Sequence, residues 1–293
     1  MSPSGFDAVA RTALLTTALR AVESSRPDRL YHDPYAKSLA GEAGFALFDE
    51  VAATTAAQRQ TPQPDGLRLP NTADYNAIRT RFIDDWAIAA VGRGEVEQVV
   101  IAAAGMDTRA YRLAWPRPVR IFELDRAEVL AHKEAALAGQ DAASGVARVT
   151  VHADLVDAGW PTGLVDAGFD PDRPSVWILE GLLYYLAEQE VRRLLGEIGE
   201  LCAAGSELAC DLVNEAALTA PSTARLLELF AAWGSPWISG CDEPEKLLRA
   251  AGFDAVAAQP GEPGAHYGRW RDEVPPRDAP GVPRVFYVHG IRA

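Results

Sequence analysis

The chain has 293 residues, 48% of them hydrophobic, and sets 28 Lys and Arg against 41 Asp and Glu for a formal net charge of −13 with neutral histidines. That length can bury a full core as one large domain or as a core with a cap, and the negative balance repels nucleic acid and favours small-molecule partners. Cys202, Cys210 and Cys241 show no CxxC spacing, so neither a disulfide framework nor a zinc site is indicated. The start, MSPSGFDAVARTALL, lacks an apolar core of signal-peptide length, and no segment reaches the ~18 apolar residues of a membrane span. A cytoplasmic protein with no membrane partner is expected.

In chain order, residues 6–25 carry Ala, Leu and Val at helical spacing, and SSRPDRLYHDPYA follows as a loop broken by Pro27 and Pro34. Residues 36–57 read as a helix, TPQPDGLRLPNT (61–72) as a flexible connection, and Ala73 to Val91 as a further helix containing RTRFIDDW. These make an N-terminal helical layer over 1–92, ahead of a core over 93–293. Strands are expected at 98–103, 119–124, 148–152, 175–180, 206–212, 253–258 and 284–289, with helical periodicity in Val191, Leu194, Leu195, Ile198 and Leu201 between the fourth and fifth. Such alternation predicts an α/β fold, a doubly wound Rossmann-like sheet, and seven strands, the last two rich in turn residues and close to the C-terminus, suit the version of that sheet in which the final strand inserts antiparallel. The segment at about 215–242 reads as a lid insertion.

The segment QVVIAAAGMDTRAYR (98–112) joins an uncharged apolar run to a tight turn, the place where cofactors bind in α/β proteins. Asp125 closes the next apolar segment, VRIFELD, and can accept both ribose hydroxyls of an adenosine-type cofactor. The turn holds Ala103, Ala104 and Gly105, with Thr108 where a dinucleotide fingerprint has its third small residue, so nothing prepares for a pyrophosphate. S-adenosylmethionine (SAM) fits such a turn better. Four strand ends offer carboxylates, Asp107, Asp125, Asp154 and Glu180, which suits a cationic ligand, although acids at helix starts also complement the helix dipole.

RTRFIDDW, QVVIAAAGMDTRAYRL, FELDRAEVLAHK, HADL and WILEGLLYYL, in this order, resemble the leucine carboxyl methyltransferase family in its bacterial branch, which includes O-methyltransferases of polyketide biosynthesis. The opening ARTALLTTALRAVESSRPDRLYHDPYA resembles that family too, so the similarity runs from about residue 10 to 290. It implies a class I SAM-dependent methyltransferase of secondary metabolism. By the same resemblance Arg79 of RTRF binds the cofactor carboxylate, assisted by Arg11. Gly105 lies under the methionine part, Asp125 holds the ribose, Asp154 and Leu155 frame the adenine, and Glu180 faces the methionine moiety near Tyr184. The chain departs from the family at Ala103, where a glycine is usual.

Arg79 and Arg81 lie two apart on one helix and cannot share a face, so one is expected at the cofactor and the other in solvent. Arg109 and Arg112 are cations beside a helix start, which calls for carboxylate partners. The histidines form no metal-ligand spacing, and no metal is expected. Methyl transfer is an in-line displacement that needs mainly alignment, with a base only where the nucleophile must lose a proton. Tyr184 and His266 are the candidates near such chemistry. Trp233 and Trp237 of the lid, Tyr267 of a glycine-rich loop, and Tyr31 and Tyr35 of the helical layer suggest a flat apolar pocket for a small aromatic or polyketide-like acceptor, methylated on oxygen. Alternatives are C- or N-methylation of an aromatic heterocycle such as an indole, a nicotinamide-dependent reductase, which the missing GxGxxG weakens, and a non-catalytic SAM-binding protein.

Overall fold

Alternate side chains of a buried strand point to opposite faces, and β1 (Gln98–Ala102) uses both, because all five residues are buried. Val99 and Ile101 pack on one face with Ile121 and Ile178, under Ile83, Ala87, Ala90 and Val91 of α3 (Thr72–Gly92). Val100 and Ala102 pack on the other with Phe122, Leu124 and Trp177, under α6 (Trp160–Asp166), α7 (Glu188–Leu201) and α9 (Pro244–Ala250). The computed structural model describes residues 8–60, 72–93, 96–270 and 272–293. The expected connection at 61–72 lies outside these except for Thr72, which begins α3.

The remaining strands are β2 (Val119–Asp125), β3 (Val146–His152), β4 (Ser175–Leu179), β5 (Glu207–Val213), β6 (Phe253–Ala258) and β7 (Val285–Arg292). They form one seven-stranded sheet in the order β3-β2-β1-β4-β5-β7-β6. β1 pairs in parallel with β2 and β4, whereas β7 runs antiparallel between β5 and β6, as the sequence leads one to expect. The chain moves outward from β1 to β3 and returns as β4 on the far side of β1, so the crevice opens between the C-terminal ends of β1 and β4. No helix among the described residues is long and apolar enough to cross a membrane.

Two helices differ from the periodicity. The helix after the β1 turn, α4 (Arg109–Arg112), is a single turn, because Pro116 and Pro118 of WPRP bar continuation into β2. α2 (Ala36–Gln60) contains a non-helical Gly41 at φ 55°, ψ −171°, which breaks what reads in sequence as one run. α1 (Ala8–Ser25) packs beside α2 and reaches the crevice, while α3 belongs to the sheet face itself. α8 (Ala224–Ala232), from the expected lid, buries Leu226 and Phe230 against Leu15 and Leu19 of α1 and Val51 of α2. α5 (Ala127–Ala136) follows β2 and pairs its buried Lys133 with Glu123 of that strand at 2.8 Å.

Candidate active site

The turn leaving β1 is left-handed twice, at Ala103 (φ 54°) and Gly105 (φ 46°). For an L-residue this conformation costs roughly 1–2 kcal/mol, which a glycine avoids. The reversal aims the Gly105 amide at Asp125 Oδ2, 2.6 Å away, and Asp125 Oδ1 accepts from the Arg126 amide at 2.8 Å. Burial raises the Asp125 carboxyl above its ordinary range, and the two amides offset only part of that. Each oxygen retains a lone pair for a ligand hydroxyl. Thr108, completely buried, donates its hydroxyl to Asp33 Oδ2 at 2.7 Å, so it serves as a tie to the helical layer where a dinucleotide turn would have a small residue. Asp33 also accepts from the Ala36 amide at the start of α2 and from Arg20 Nε at 2.9 Å.

A chain of alternating charges runs below the crevice. Glu180, at the end of β4, accepts from Arg79 Nε at 2.9 Å and from Arg109 Nη2 at 2.6 Å. Arg109 also reaches Asp84 at 2.8 Å and Asp107, and Arg112 grips the same Asp84 with two nitrogens at 2.5 and 2.8 Å. Arg79 Nη1 donates to Asp211 of β5 at 2.9 Å and to the Tyr184 hydroxyl at 3.3 Å. Asp211 is fully buried and accepts the Gly181 amide at 2.6 Å and the Tyr75 hydroxyl at 3.1 Å. Burial alone would raise the Glu180 carboxyl, but Arg109 and Arg79 outweigh it and hold the group down at about 2. These pairs, enclosed and hydrogen-bonded, fix side-chain directions, since removing one partner would strand a buried charge at a cost of about 3–5 kcal/mol.

Two cavities meet over this network. The first, 310 Å³, runs along the strand ends from Arg79 and Glu180 past Ala103, Gly105 and Asp125 to Asp154 and Leu155. The second, 570 Å³, lies between α1, α3, the segment after β5 and the loops before β7. Its walls include Tyr75, Leu226, Phe230, Trp237 and Trp270. Thr12, Thr16, Arg79, Tyr184 and Tyr185 line both, so they mark the opening from one cavity to the other.

The first cavity brings together Arg79, Ala103, Gly105, Asp125, Asp154, Leu155 and Glu180. Arg11 is not among its lining residues; Arg20, further along α1, is, and it is fixed by Asp33 and by the Met106 carbonyl at 2.6 Å. Arg81 points to the surface and pairs with Asp85 at 2.8 Å, the division from Arg79 that their spacing requires. Arg109 and Arg112 have the carboxylate partners expected of them. The acid-rich strand edge differs from its sequence reading: Asp107 and Glu180 are spent on arginines, and Asp125 and Asp154 are the carboxylates there without an ion pair among the described residues.

The aromatic residues divide. Trp237 lines the second cavity, where its ring lies 4.7 Å from that of Tyr184. Trp233 does not; it is buried with Leu15, Leu19 and Val51 and donates to Glu50 at 3.3 Å, because its place at the end of α8 faces α2. Tyr31 lies under Arg112, 5.4 Å from its ring centroid, and Tyr35 packs on Tyr111 at 5.7 Å. Tyr267 donates to Asp85 on the outer side of α3, and the exposed His266 accepts from the Gly268 amide. None of these four lines either cavity. Asp211, Asp84 and Asp33 escaped the sequence reading; the signal for Asp211 was an acid set among apolar residues inside the strand ELACDLV, whose other acid, Glu207, stands at its start.

Comparison with known proteins agrees with this geometry. The family model described as leucine carboxyl methyltransferase matches residues 13–199. A protein of Parafrankia sp. (strain EAN1pec), named as an S-adenosyl-L-methionine-dependent methyltransferase, is 39% identical over 242 residues, covering 81% of this chain and 74% of its own length. A protein of Mycolicibacterium gilvum (strain PYR-GCK) with the same name is 41% identical over 208 residues, 70% of this chain and 67% of its own. Among solved structures, one from Thermobifida fusca YX, described as a methyltransferase, superposes with a TM-score of 0.58 at 21% identity, covering 91% of this chain and 94% of its own. A DUF574 family protein from Streptomyces avermitilis MA-4680 gives 0.57 at 15% identity, covering 92% and 98%. The likeness to these two structures is one of fold.

Proposed function

The chain belongs to the leucine carboxyl methyltransferase family and is a SAM-dependent methyltransferase, and we propose that its acceptor is a small aromatic or polyketide-like metabolite methylated on oxygen. The observation that carries this reading is the meeting of two cavities at Arg79 and Tyr184, the second of them walled by aromatic and aliphatic side chains.

The first cavity fits SAM by its donor set. A guanidinium lies at one end, where Arg79 Nε and Nη1 are engaged by protein and Nη2 takes no part in those bonds. A buried carboxylate with spare lone pairs, Asp125, lies midway, and Leu155 with the Asp154 carboxylate closes the other end. Arg79 would hold the cofactor carboxylate, Asp125 the ribose, and Leu155 and Asp154 the adenine. When bound, SAM supplies an electrophilic methyl group. The protein's part is to fix the acceptor in line and exclude water, which can contribute most of the barrier reduction in such a displacement. Phe230 and Trp237, 5.8 Å apart between ring centroids, form one wall for a flat acceptor.

An acceptor screen with isotopically labelled SAM, followed by mass spectrometry and NMR of the product, tests the proposal. Label on a phenolic or enolic oxygen is expected. Label confined to ring nitrogen or carbon, or to the terminal carboxylate of a peptide, refutes it.

A further inference from the structure

Five side chains line the opening between the cavities, and their hydroxyls are not equivalent. Thr16 donates to the Ala13 carbonyl at 3.0 Å, and the Tyr185 ring packs against that of Tyr184 at 4.8 Å between centroids. Tyr75, just inside the second cavity, donates to Asp211. Tyr184 is the exception: its partner, Arg79 Nη1, can only donate, so the phenol oxygen accepts and its proton is directed elsewhere. Arg79 is in turn held by Asp211, which lines neither cavity and is completely buried.

Resting on the O-methylation reading above, we propose that Tyr184 is a catalytic hydrogen-bond donor to the acceptor oxygen, kept in direction by Asp211 acting through Arg79, and that the site takes its acceptors as oxyanions, acidic phenols or enols, in preference to neutral alcohols. A donor phenol beside a guanidinium stabilises a bound oxyanion and leaves a lone pair free for the methyl group. The groups facing Tyr184 agree. Arg79 and Tyr75 come from α3, Asp211 from β5, Tyr185 from the adjacent turn and the neutral Trp237 from the segment after α8. Burial first, and Asp211 second, hold the Tyr184 proton on well above the ordinary tyrosine range, so it is retained as a donor.

Among the described residues, nothing at the opening is placed to accept a proton. Glu180 is ionised between two arginines, Asp211 already accepts three hydrogen bonds, and His266 is exposed away from both cavities. Asp272 and Glu273 line the second cavity from its exposed loop wall, not at the opening. The step balances without a base. The acceptor oxyanion forms the new O–C bond, the S–C bond breaks with its electron pair going to sulfur, and a neutral ether and a neutral thioether result.

The test uses 4-nitrophenol, whose ionisation is visible by absorbance near neutral pH, titrated on the full chain saturated with S-adenosylhomocysteine so that no turnover occurs. Bound 4-nitrophenol is expected to ionise about one pH unit below its value in solution, the scale of an adjacent cation and donor. Tyr184→Phe should abolish most of that shift. Tyr35→Phe, at a residue that lines neither cavity, should keep it, and Asp211→Asn should reduce it. Circular dichroism and melting of each variant check the fold. A probe that binds with no shift, or a full shift retained in Tyr184→Phe, overturns the donor role, and a full shift in Asp211→Asn removes Asp211 from it. Failure of the probe to bind, or binding indifferent to Trp237→Ala, instead refutes the aromatic-acceptor reading, and the proposal with it.

Discussion

Replacing Ala103 by glycine should stabilise the protein, although it removes a methyl group from a turn that is otherwise well packed. Ala103 is held at φ 54° at the floor of the first cavity. An L-residue in this region forfeits roughly 1–2 kcal/mol, and glycine returns about 0.5–1 of that through the greater freedom of its unfolded chain. The net gain is about 0.5–1 kcal/mol, which for a chain of this size raises Tm by about 2 °C. Gly105→Ala is the mirror experiment. Its φ of 46° imposes the same strain, and the new Cβ would stand 3.3 Å from Ala13 Cβ, so this variant should lose about 1–2 kcal/mol or more. Differential scanning calorimetry and urea unfolding of both variants check the pair. An unchanged or lowered Tm for Ala103→Gly, with Gly105→Ala neutral, would show that neither position is strained and that the family's glycine has another cause.

Asp125→Ala should weaken SAM binding by roughly 1.5–3 kcal/mol per charge-assisted hydrogen bond lost, read by calorimetry; an unchanged Kd would remove Asp125 from the cofactor site. Arg79→Ala should weaken SAM far more than Arg81→Ala, whose surface pair with Asp85 contributes at most about 1 kcal/mol, and equal losses would show that the motif register is misplaced. Glu180, whose carboxyl is lowered from 4.5 to about 2, contributes stability that is complete above pH ~4.5 and lost as pH falls towards ~2; urea unfolding across that window should show a shallower pH slope in Glu180→Gln, and an identical slope speaks against the pairing. Trp237→Ala should raise the acceptor KM with little change in SAM Kd, whereas Trp233→Ala should lower Tm and leave the acceptor KM alone; the reverse pattern would exchange their roles.

Much of this architecture was legible because its signals are local. Uncharged five-residue runs such as QVVIA and SVWIL predict strands buried on both faces, and the acid at the end of VRIFELD predicts a ligand-facing carboxylate. The motif residues Gly105 and Glu180 follow strand ends closely, whereas Arg79, two turns into α3, reaches the first cavity through the packing of its helix on the sheet. Partner choice was not legible. Whether Arg109 meets Asp84, Asp107 or Glu180, and it meets all three, depends on chain crossings that no spacing encodes. The aromatics show this limit most clearly. Trp233 and Trp237 lie in one segment of similar composition, yet the turn after α8 sends one under α2 and the other into the cavity.

The helical layer over 1–92 also takes a different meaning once its side chains are placed. Thr12, Thr16 and Arg20 of α1 and Arg79 of α3 line the first cavity, and Thr12, Thr16 and Arg79 continue into the second. Tyr75 and Asn76 of α3 add to the wall of the second cavity, while other residues of the same helix cover the sheet. Glu23 near the end of α1 receives Arg269 with two nitrogens at 2.9 and 3.1 Å, and thereby anchors the loop that carries Trp270. Residue 92 therefore divides kinds of secondary structure without dividing the site. The sheet supplies the carboxylates and the left-handed turn, and the N-terminal helices supply the arginine and the roof without which those groups would stand in open solvent. In the cofactor placement proposed above, SAM touches both parts, so its affinity should measure the docking of the N-terminal helices as directly as it measures the sheet.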